Sequence, residues 1–354
     1  MSTNTPRPDV PPDLQNRFAA VLIGTAIGDA LGLPMEGMRA TTIAKRFPKI
    51  DRYFLFGRRG FVSDDTEQSA LVAQSLAKHP QDLQRCVAAF RLSLLAWFFR
   101  LPWGIGFGTL RACLRIALGL KTTGVPSAGN GAAMRAAVVG AFFFDAPEKR
   151  RDWGDAFAKV THIDPRAVEG ARFVAELAAL SLLYGSVKTS AELVSMARTV
   201  VEHQDLKHVI DRACQLAEED LVTLAASHEL GSSGFIVHTV AITTFLFLRY
   251  GHDVTLAITE AVRAGGDTDS HAAIVGAWMG ALHGLSALPQ GLVADLHDGP
   301  FGPSHLHALA LDLERARHGV PTRSSTYSWV LAFARNLALY PVVLWHAFKV
   351  FFLR

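Results

Sequence analysis

The sequence predicts an all-α protein. Apolar and small residues recur at three- and four-residue steps along most of the chain. Several of these stretches open at Ser, Asp or Thr and close at Gly, which are helix start and stop signals. Convincing alternating strand runs are scarce.

The first periodic stretch is DLQNRFAAVLIGTAIGDALG, from Asp13 to Gly32. TEQSALVAQSLAKH and LQRCVAAFRLSLLAWFFR follow, then DPRAVEGARFVAELAALSLLYG, from Asp164 to Gly185. SAELVSMARTVVEH, TVAITTFLFLRYG and SHAAIVGAWMGALHG continue the pattern to Gly284. VTLAITEAV, from Val254 to Val262, has strand-like composition, but its Ala and Glu favour helix. The helices are rich in Ala and Gly, and small side chains let helix axes approach closely, which suits a compact multi-helix bundle.

Bulk numbers limit the classes of function. The chain has 354 residues, half of them hydrophobic and 19% charged, which marks a globular protein with a sizeable core. A formal net charge of +3 makes no case for a nucleic-acid binder. Cys86, Cys113 and Cys214 are odd in number, far apart and without CxxC spacing, which points to a reducing compartment rather than a disulfide framework or zinc site. MSTNTPRPDVPPDLQNR carries no apolar signal segment, so the expected location is cytoplasmic. With no low-complexity linker and no repeat, residues 14–322 read as one domain. A disordered lead-in over 1–13 precedes it, and an apolar helical tail over 323–354 follows.

Four clusters concentrate chemistry. GTAIGDALGLPMEGM carries Asp29 and Glu36. FVSDDTEQSALVAQSL carries Ser63, Asp64, Asp65, Thr66 and Glu67. PSAGNGAAMRAAVVG carries Ser127, Gly129, Asn130 and Gly131, and RAGGDTDSHAAIVGAWMG carries Asp267, Asp269 and Ser270. An Asp or Ser at a helix start is an ordinary cap. Capping needs only one or two such groups, whereas SDDT and DTDS each place two carboxylates and a hydroxyl at the mouth of an apolar helix. Like charges this close repel unless a cation lies between them, and hard oxygen ligands suit Mg²⁺, Mn²⁺ or Ca²⁺. Both readings stand at this level. SAGNG is either a plain turn or a set of glycine-exposed N–H groups able to cradle a phosphate. His162 in THIDPRAVEGA is by residue type more often a cap or core histidine than a catalyst.

Taken together and in this order, the clusters resemble the ADP-ribosylglycohydrolase family. GDALGLPMEG, SDDTEQSALVAQSL, GNGAAMR, THIDPRA and GGDTDSHAAIVGAWMGA carry the resemblance, from about Ala19 to about Gly284. It implies an all-α fold with a binuclear Mg²⁺ site in a central cleft, Mn²⁺ being the substitute ion. It implies Ser63, Asp64, Asp65, Asp267, Asp269 and Ser270 as metal ligands. Glu36 would coordinate metal, gate the cleft or assist proton transfer, and Asp65 or a neighbouring ligand would orient the attacking water. Ser127, Gly129, Asn130, Gly131 and His162 would hold ADP-ribose. Ser63 and Ser270 stand where Thr is common, and keep the hydroxyl. Ala128 stands where some members carry an aromatic that stacks on adenine. Phe107, in a Gly-rich loop from Leu101 to Thr109 expected to border the pocket, is a candidate replacement.

The implied activity is hydrolysis of the bond at C1″ of an ADP-ribosyl group on a protein or other acceptor, with ADP-ribose as product. Two rival readings remain at this level. One is a non-catalytic relative, like a lens crystallin or an ADP-ribose-binding protein, which should have lost acids that are all present here. The other is a two-metal phosphoesterase acting on the diphosphate. The tail, Tyr327 to Arg354, is interrupted by Arg335, Asn336 and Pro341, which argues against a clean spanning helix. It reads as helix packed on the domain or a second subunit. Alternatively, Trp345, Phe348, Phe351 and Phe352 beside Lys349 and Arg354 make it an interfacial anchor.

Overall fold

The computed structural model describes residues 13–55, 57–320, 322 and 324–351. The disordered lead-in expected at the N-terminus lies outside the described residues, Asp13 excepted. The helices are α1 (Leu14–Gly32), α2 (Ala40–Arg46), α3 (Asp64–Lys78), α4 (Leu83–Phe98), α5 (Phe107–Ala117) and α6 (Ala136–Phe142). Then come α7 (Pro147–Lys159), α8 (Pro165–Tyr184), α9 (Ser190–Arg198), α10 (Gln204–Glu218), α11 (Thr223–Leu230) and α12 (Ile236–Tyr250). The chain ends with α13 (Val254–Arg263), α14 (Thr268–His283), α15 (Gln290–Asp295), α16 (Pro303–Arg317) and α17 (Trp329–Phe351). The described residues form isolated β-bridges but no strand. VTLAITEAV is helical, burying Val254, Ala257, Ile258, Ala261 and Val262 at helical spacing.

The fold is organised around α1 and α14. Both are apolar on nearly every face, so both are central. They run antiparallel in close contact. A Cβ at Gly28 would sit 2.0 Å from the carbonyl oxygen of Ala272, and one at Gly24 2.2 Å from that of Gly276. Only hydrogen at these positions permits the approach. The antiparallel register brings Gly32 beside Thr268, whose hydroxyl donates to the Gly32 carbonyl at 2.8 Å. The end of α1 therefore meets the start of α14. Leu14–Met35 is long and apolar enough to cross a membrane, yet it lies entirely inside the fold.

The mouth of α3 is brought to the same place by Asp29. Its buried carboxylate accepts from the N–H and hydroxyl of Ser63, at 2.9 and 2.7 Å, and of Thr66, at 3.1 and 2.6 Å. α1 thus supplies the cap of a helix it does not belong to. α6, α8 and α12 pack around this centre, and α16 closes the side behind α1 and α3.

The tail is one helix, α17, with Pro341 inside it. Its polar side chains other than Lys349 face the domain. Asn336 donates to the Arg100 carbonyl at 3.0 Å, Tyr340 to the Pro102 carbonyl at 3.3 Å and His346 Nε2 to the Pro34 carbonyl at 2.6 Å. Val330, Leu331, Leu337, Leu344, Trp345 and Phe348 are exposed.

A candidate active site where two helix mouths meet

The cap from Asp29 has a chemical consequence. Asp64 and Asp65 are relieved of capping α3, and Asp267, at the start of α14, makes no side-chain cap bond either. These carboxylates turn into one cleft of about 520 Å³, whose lining also includes Glu36, Asp269 and Ser270. Ligand oxygens of Glu36, Asp267 and Asp269 lie within 4.8 Å of one another. Ser270 Oγ donates to Asp65 Oδ2 at 3.3 Å, joining the two mouths.

The electrostatics are those of a site built for positive charge. The carboxyls of Asp64, Asp65 and Asp269 are held well above the usual range. Burial is the main cause in each. Asp65 adds to it at Asp64, Asp29 at Asp65, and Glu36 at Asp269. Burial also pushes Asp29 up to about 6, against its four hydrogen bonds. Asp65 Oδ1 and Asp269 Oδ1 are buried without a hydrogen-bond partner among the described residues. Orphaned oxygens in a crowd of carboxylates fit hard divalent cations, which would restore the ionised forms.

Ser63 departs from the other predicted ligands. It is fully buried behind the cleft with its hydroxyl proton committed to Asp29, and it does not line the cavity.

Ser127, Gly129, Asn130, Gly131 and His162 line the far half of the cleft. Isolated bridges, Val125 to His162 and Gly129 to Phe235, clamp their loop in place. The expected backbone cradle differs in detail. The Gly129 N–H donates to Ser127 Oγ at 3.3 Å, and the Asn130 N–H to the Gly234 carbonyl at 3.0 Å. Asn130 spends its amide on Thr239 Oγ1, at 3.0 Å, and on Asp267 Oδ2, at 2.5 Å. It positions a carboxylate.

His162 keeps one ring nitrogen for the cleft. Thr161 Oγ1 accepts from Arg135 at 2.6 Å and lies 2.8 Å from His162 Nδ1. With Thr161 donating to Nδ1, the ring proton sits on Nε2. Nε2 faces Gly108, where a Cβ would lie 2.6 Å from it, so glycine keeps the donor accessible. Burial, then Arg135 and Arg111, push the ring's pKa down to about 3, so it is a neutral donor. Gly104, Gly106, Phe107, Gly108 and Thr109 border the cleft, and Phe107 is 84% exposed at its edge.

Sequence reasoning assigned no role to three further groups. Asp29, singled out without a role, sits in the last turn of α1. Buried Arg135 reaches Gln68 Oε1 at 2.7 Å and the Gly131 carbonyl at 2.6 Å, tying the loop to α3. Gln68 in turn donates to Asp64 Oδ2 at 3.2 Å. The Ser232–Gly234 turn takes the Asp267 N–H on the Ser232 carbonyl at 2.8 Å. Its Ser-Ser-Gly composition before a helix was the available signal.

A model of the family described as ADP-ribosylglycohydrolase matches residues 10–322. The chain belongs to the ADP-ribosylglycohydrolase family. Membership makes it a hydrolase of ADP-ribosyl linkages. It is 27% identical over 296 residues to the ADP-ribosyl-[dinitrogen reductase] glycohydrolase of Rhodospirillum rubrum, covering 80% of this chain and 92% of that one. It is 30% identical over 302 residues to an uncharacterised protein of Archaeoglobus fulgidus, covering 81% and 94%. A solved ADP-ribosylglycohydrolase-related protein complex superposes with a TM-score of 0.67 at 26% identity, covering 86% of this chain and 99% of its own. α17 lies beyond the residues matched by the family model.

Proposed function

We propose that this glycohydrolase cleaves the glycosidic bond at C1″ of an ADP-ribosyl group on a protein or other acceptor and releases ADP-ribose. Two Mg²⁺, or Mn²⁺ in their place, would be held by Asp64, Asp65, Asp267 and Asp269, with Ser270 and Glu36 beside them, while Ser63, bonded to Asp29, supports the mouth of α3. The single observation that carries this reading is the pair of orphaned oxygens, Asp65 Oδ1 and Asp269 Oδ1, among carboxylates from two helix mouths. When bound, the ions supply charge neutralisation, a grip on the distal ribose hydroxyls and a lower pKa for water.

The chain's own residues do the rest. His162 Nε2–H and the Ser127 hydroxyl bind the diphosphate end, and Phe107 offers a ring for adenine. Asn130 holds Asp267, and Ser270 holds Asp65, so neither carboxylate rotates away from the sugar. Asp65 orients the water that attacks C1″. Glu36, on the open side of the cleft, delivers a proton to the leaving acceptor. The water oxygen bonds to C1″ as the C1″–acceptor bond breaks and its electron pair leaves with the acceptor; Glu36 protonates the acceptor, and the proton lost by the water returns Glu36 to its acid form through solvent.

Mass spectrometry of the products from an ADP-ribosylated substrate, with and without Mg²⁺, tests the reading. Intact ADP-ribose is expected. AMP with a phosphoribosyl remnant on the acceptor would replace it by the phosphoesterase.

A second reading concerns partners. The outward face of α17 is apolar and aromatic, and no Asp or Glu follows Glu314, while Arg315, Arg323, Lys349 and Arg354 do, besides Arg317 and Arg335, which pair with Asp145 and Glu67. This supports contact with an anionic bilayer surface. Trp345→Ser/Phe348→Ser should abolish co-sedimentation with phosphatidylserine vesicles. A dimer that the same substitutions dissociate, without vesicle binding, would make the face a self-association surface instead.

A further inference from the structure

Beyond Glu36 the cleft adjoins a second cavity of about 240 Å³. Glu36 and Gly37 line both cavities, so the turn they form is the partition. Leu33 and Leu55 make one wall of the second cavity. Val343, His346, Ala347 and Val350 make the other, at three- and four-residue steps along one face of α17. The bond from His346 to the Pro34 carbonyl holds that face in place. Apart from Glu36, the lining carries no carboxylate, Lys or Arg among the described residues.

The orientation proposed for ADP-ribose decides what this cavity receives. With the diphosphate near His162 and the distal ribose among the carboxylates, the scissile bond at C1″ leaves the ribose on the Glu36 side. The acceptor is then carried past the partition. A guanidinium or ammonium there would find a single carboxylate for several donors and otherwise apolar walls, which disfavours it. An uncharged apolar body buries its surface against Leu33, Leu55, Val343 and Val350.

We propose that this cavity is the acceptor subsite, and that it selects an apolar or aromatic leaving group over a cationic one. The inference rests on the glycohydrolase reading and deepens it. Because the second wall belongs to a helix beyond the family match, this selectivity belongs to α17.

Three substrates of near-equal leaving ability test the proposal: the 1″-O-methyl, 1″-O-benzyl and 1″-O-(4-aminobutyl) glycosides of ADP-ribose. The benzyl compound should exceed the methyl compound at least tenfold in kcat/KM, the scale on which apolar pockets discriminate. The aminobutyl compound should not exceed methyl. Ala347→Trp, which fills the cavity from α17, should bring the benzyl-to-methyl ratio to about one. A wild-type ratio near one, an aminobutyl preference, or a ratio unchanged by Ala347→Trp overturns the subsite while leaving the glycohydrolase intact. Release of ADP-ribose from none of the three compounds overturns both.

Discussion

Arg335 of α17 forms an ion pair with Glu67 of α3, three residues along from Asp64. The other Glu67 oxygen accepts from Trp97 at 2.7 Å and Arg100 at 2.5 Å. Arg100 lies over the rings of Phe301 and Tyr327, at 4.6 and 5.0 Å. The tail is thereby tied to the helix that presents Asp64 and Asp65. Arg335→Ala removes a charged hydrogen bond while Glu67 keeps Arg100, so unfolding free energy should fall by about 1.5–3 kcal/mol. Glu67→Ala strands buried Arg100 and should cost more, about 3–5 kcal/mol. Urea midpoints check the order; the reverse order would show that Glu67 is not the hub.

If the carboxylate crowd holds Mg²⁺ as proposed, it sets opposite effects with and without the ions. Asp269→Asn should abolish turnover. It should raise the metal-free melting temperature, because burial and the neighbouring Glu36 and Asp267 oppose ionisation there. Mg²⁺ at a hundred times its dissociation constant should stabilise the wild type by about 2.7 kcal/mol. The variant should lose most of that gain in differential scanning fluorimetry. Equal Mg²⁺ shifts in both proteins would remove Asp269 from the ligand set.

His162 makes stability depend on acid. Its folded pKa, about 3, is below the ordinary 6.5. Below pH 6.5 the unfolded chain binds a proton that the folded ring refuses, so the stability present above pH 6.5 is lost as pH falls towards 3. Between pH 7 and 5 the loss from this ring is about 2 kcal/mol. Neighbouring carboxyls with raised pKa values act in the opposite sense, so the test is a difference. His162→Asn should lose less unfolding free energy than wild type between pH 7 and 5. Parallel pH profiles would contradict the buried neutral ring.

Two glycines separate close approach from open space. Gly28→Ala puts a Cβ 2.0 Å from the Ala272 carbonyl oxygen, backbone against backbone, and should destabilise by about 3 kcal/mol. Gly154 on α7 has nothing within 4 Å of the added Cβ. Gly154→Ala should stabilise by about 0.5–1 kcal/mol. Thermal unfolding of the two variants should move in opposite directions.

The sequence by itself determined what local physics controls. Helical periodicity set the all-α class, Gly and Ala in α1 and α14 allowed their contact, and doubled acids at two helix starts marked the cleft. It did not reveal that Asp29 caps a helix beginning more than thirty residues later, because capping by a distant side chain leaves no local pattern. Nor did it give Glu67, in the same helical turn as Asp64 and Asp65, any role. Arg100 and Arg335 claim Glu67, and only tertiary folding brings them there. The tail shows the same limit. Its composition tells that it is apolar, and periodicity that it is helical. That its polar residues would face the domain followed from carbonyls at Pro34, Arg100 and Pro102, acceptors in distant segments needing donors that α17 supplies.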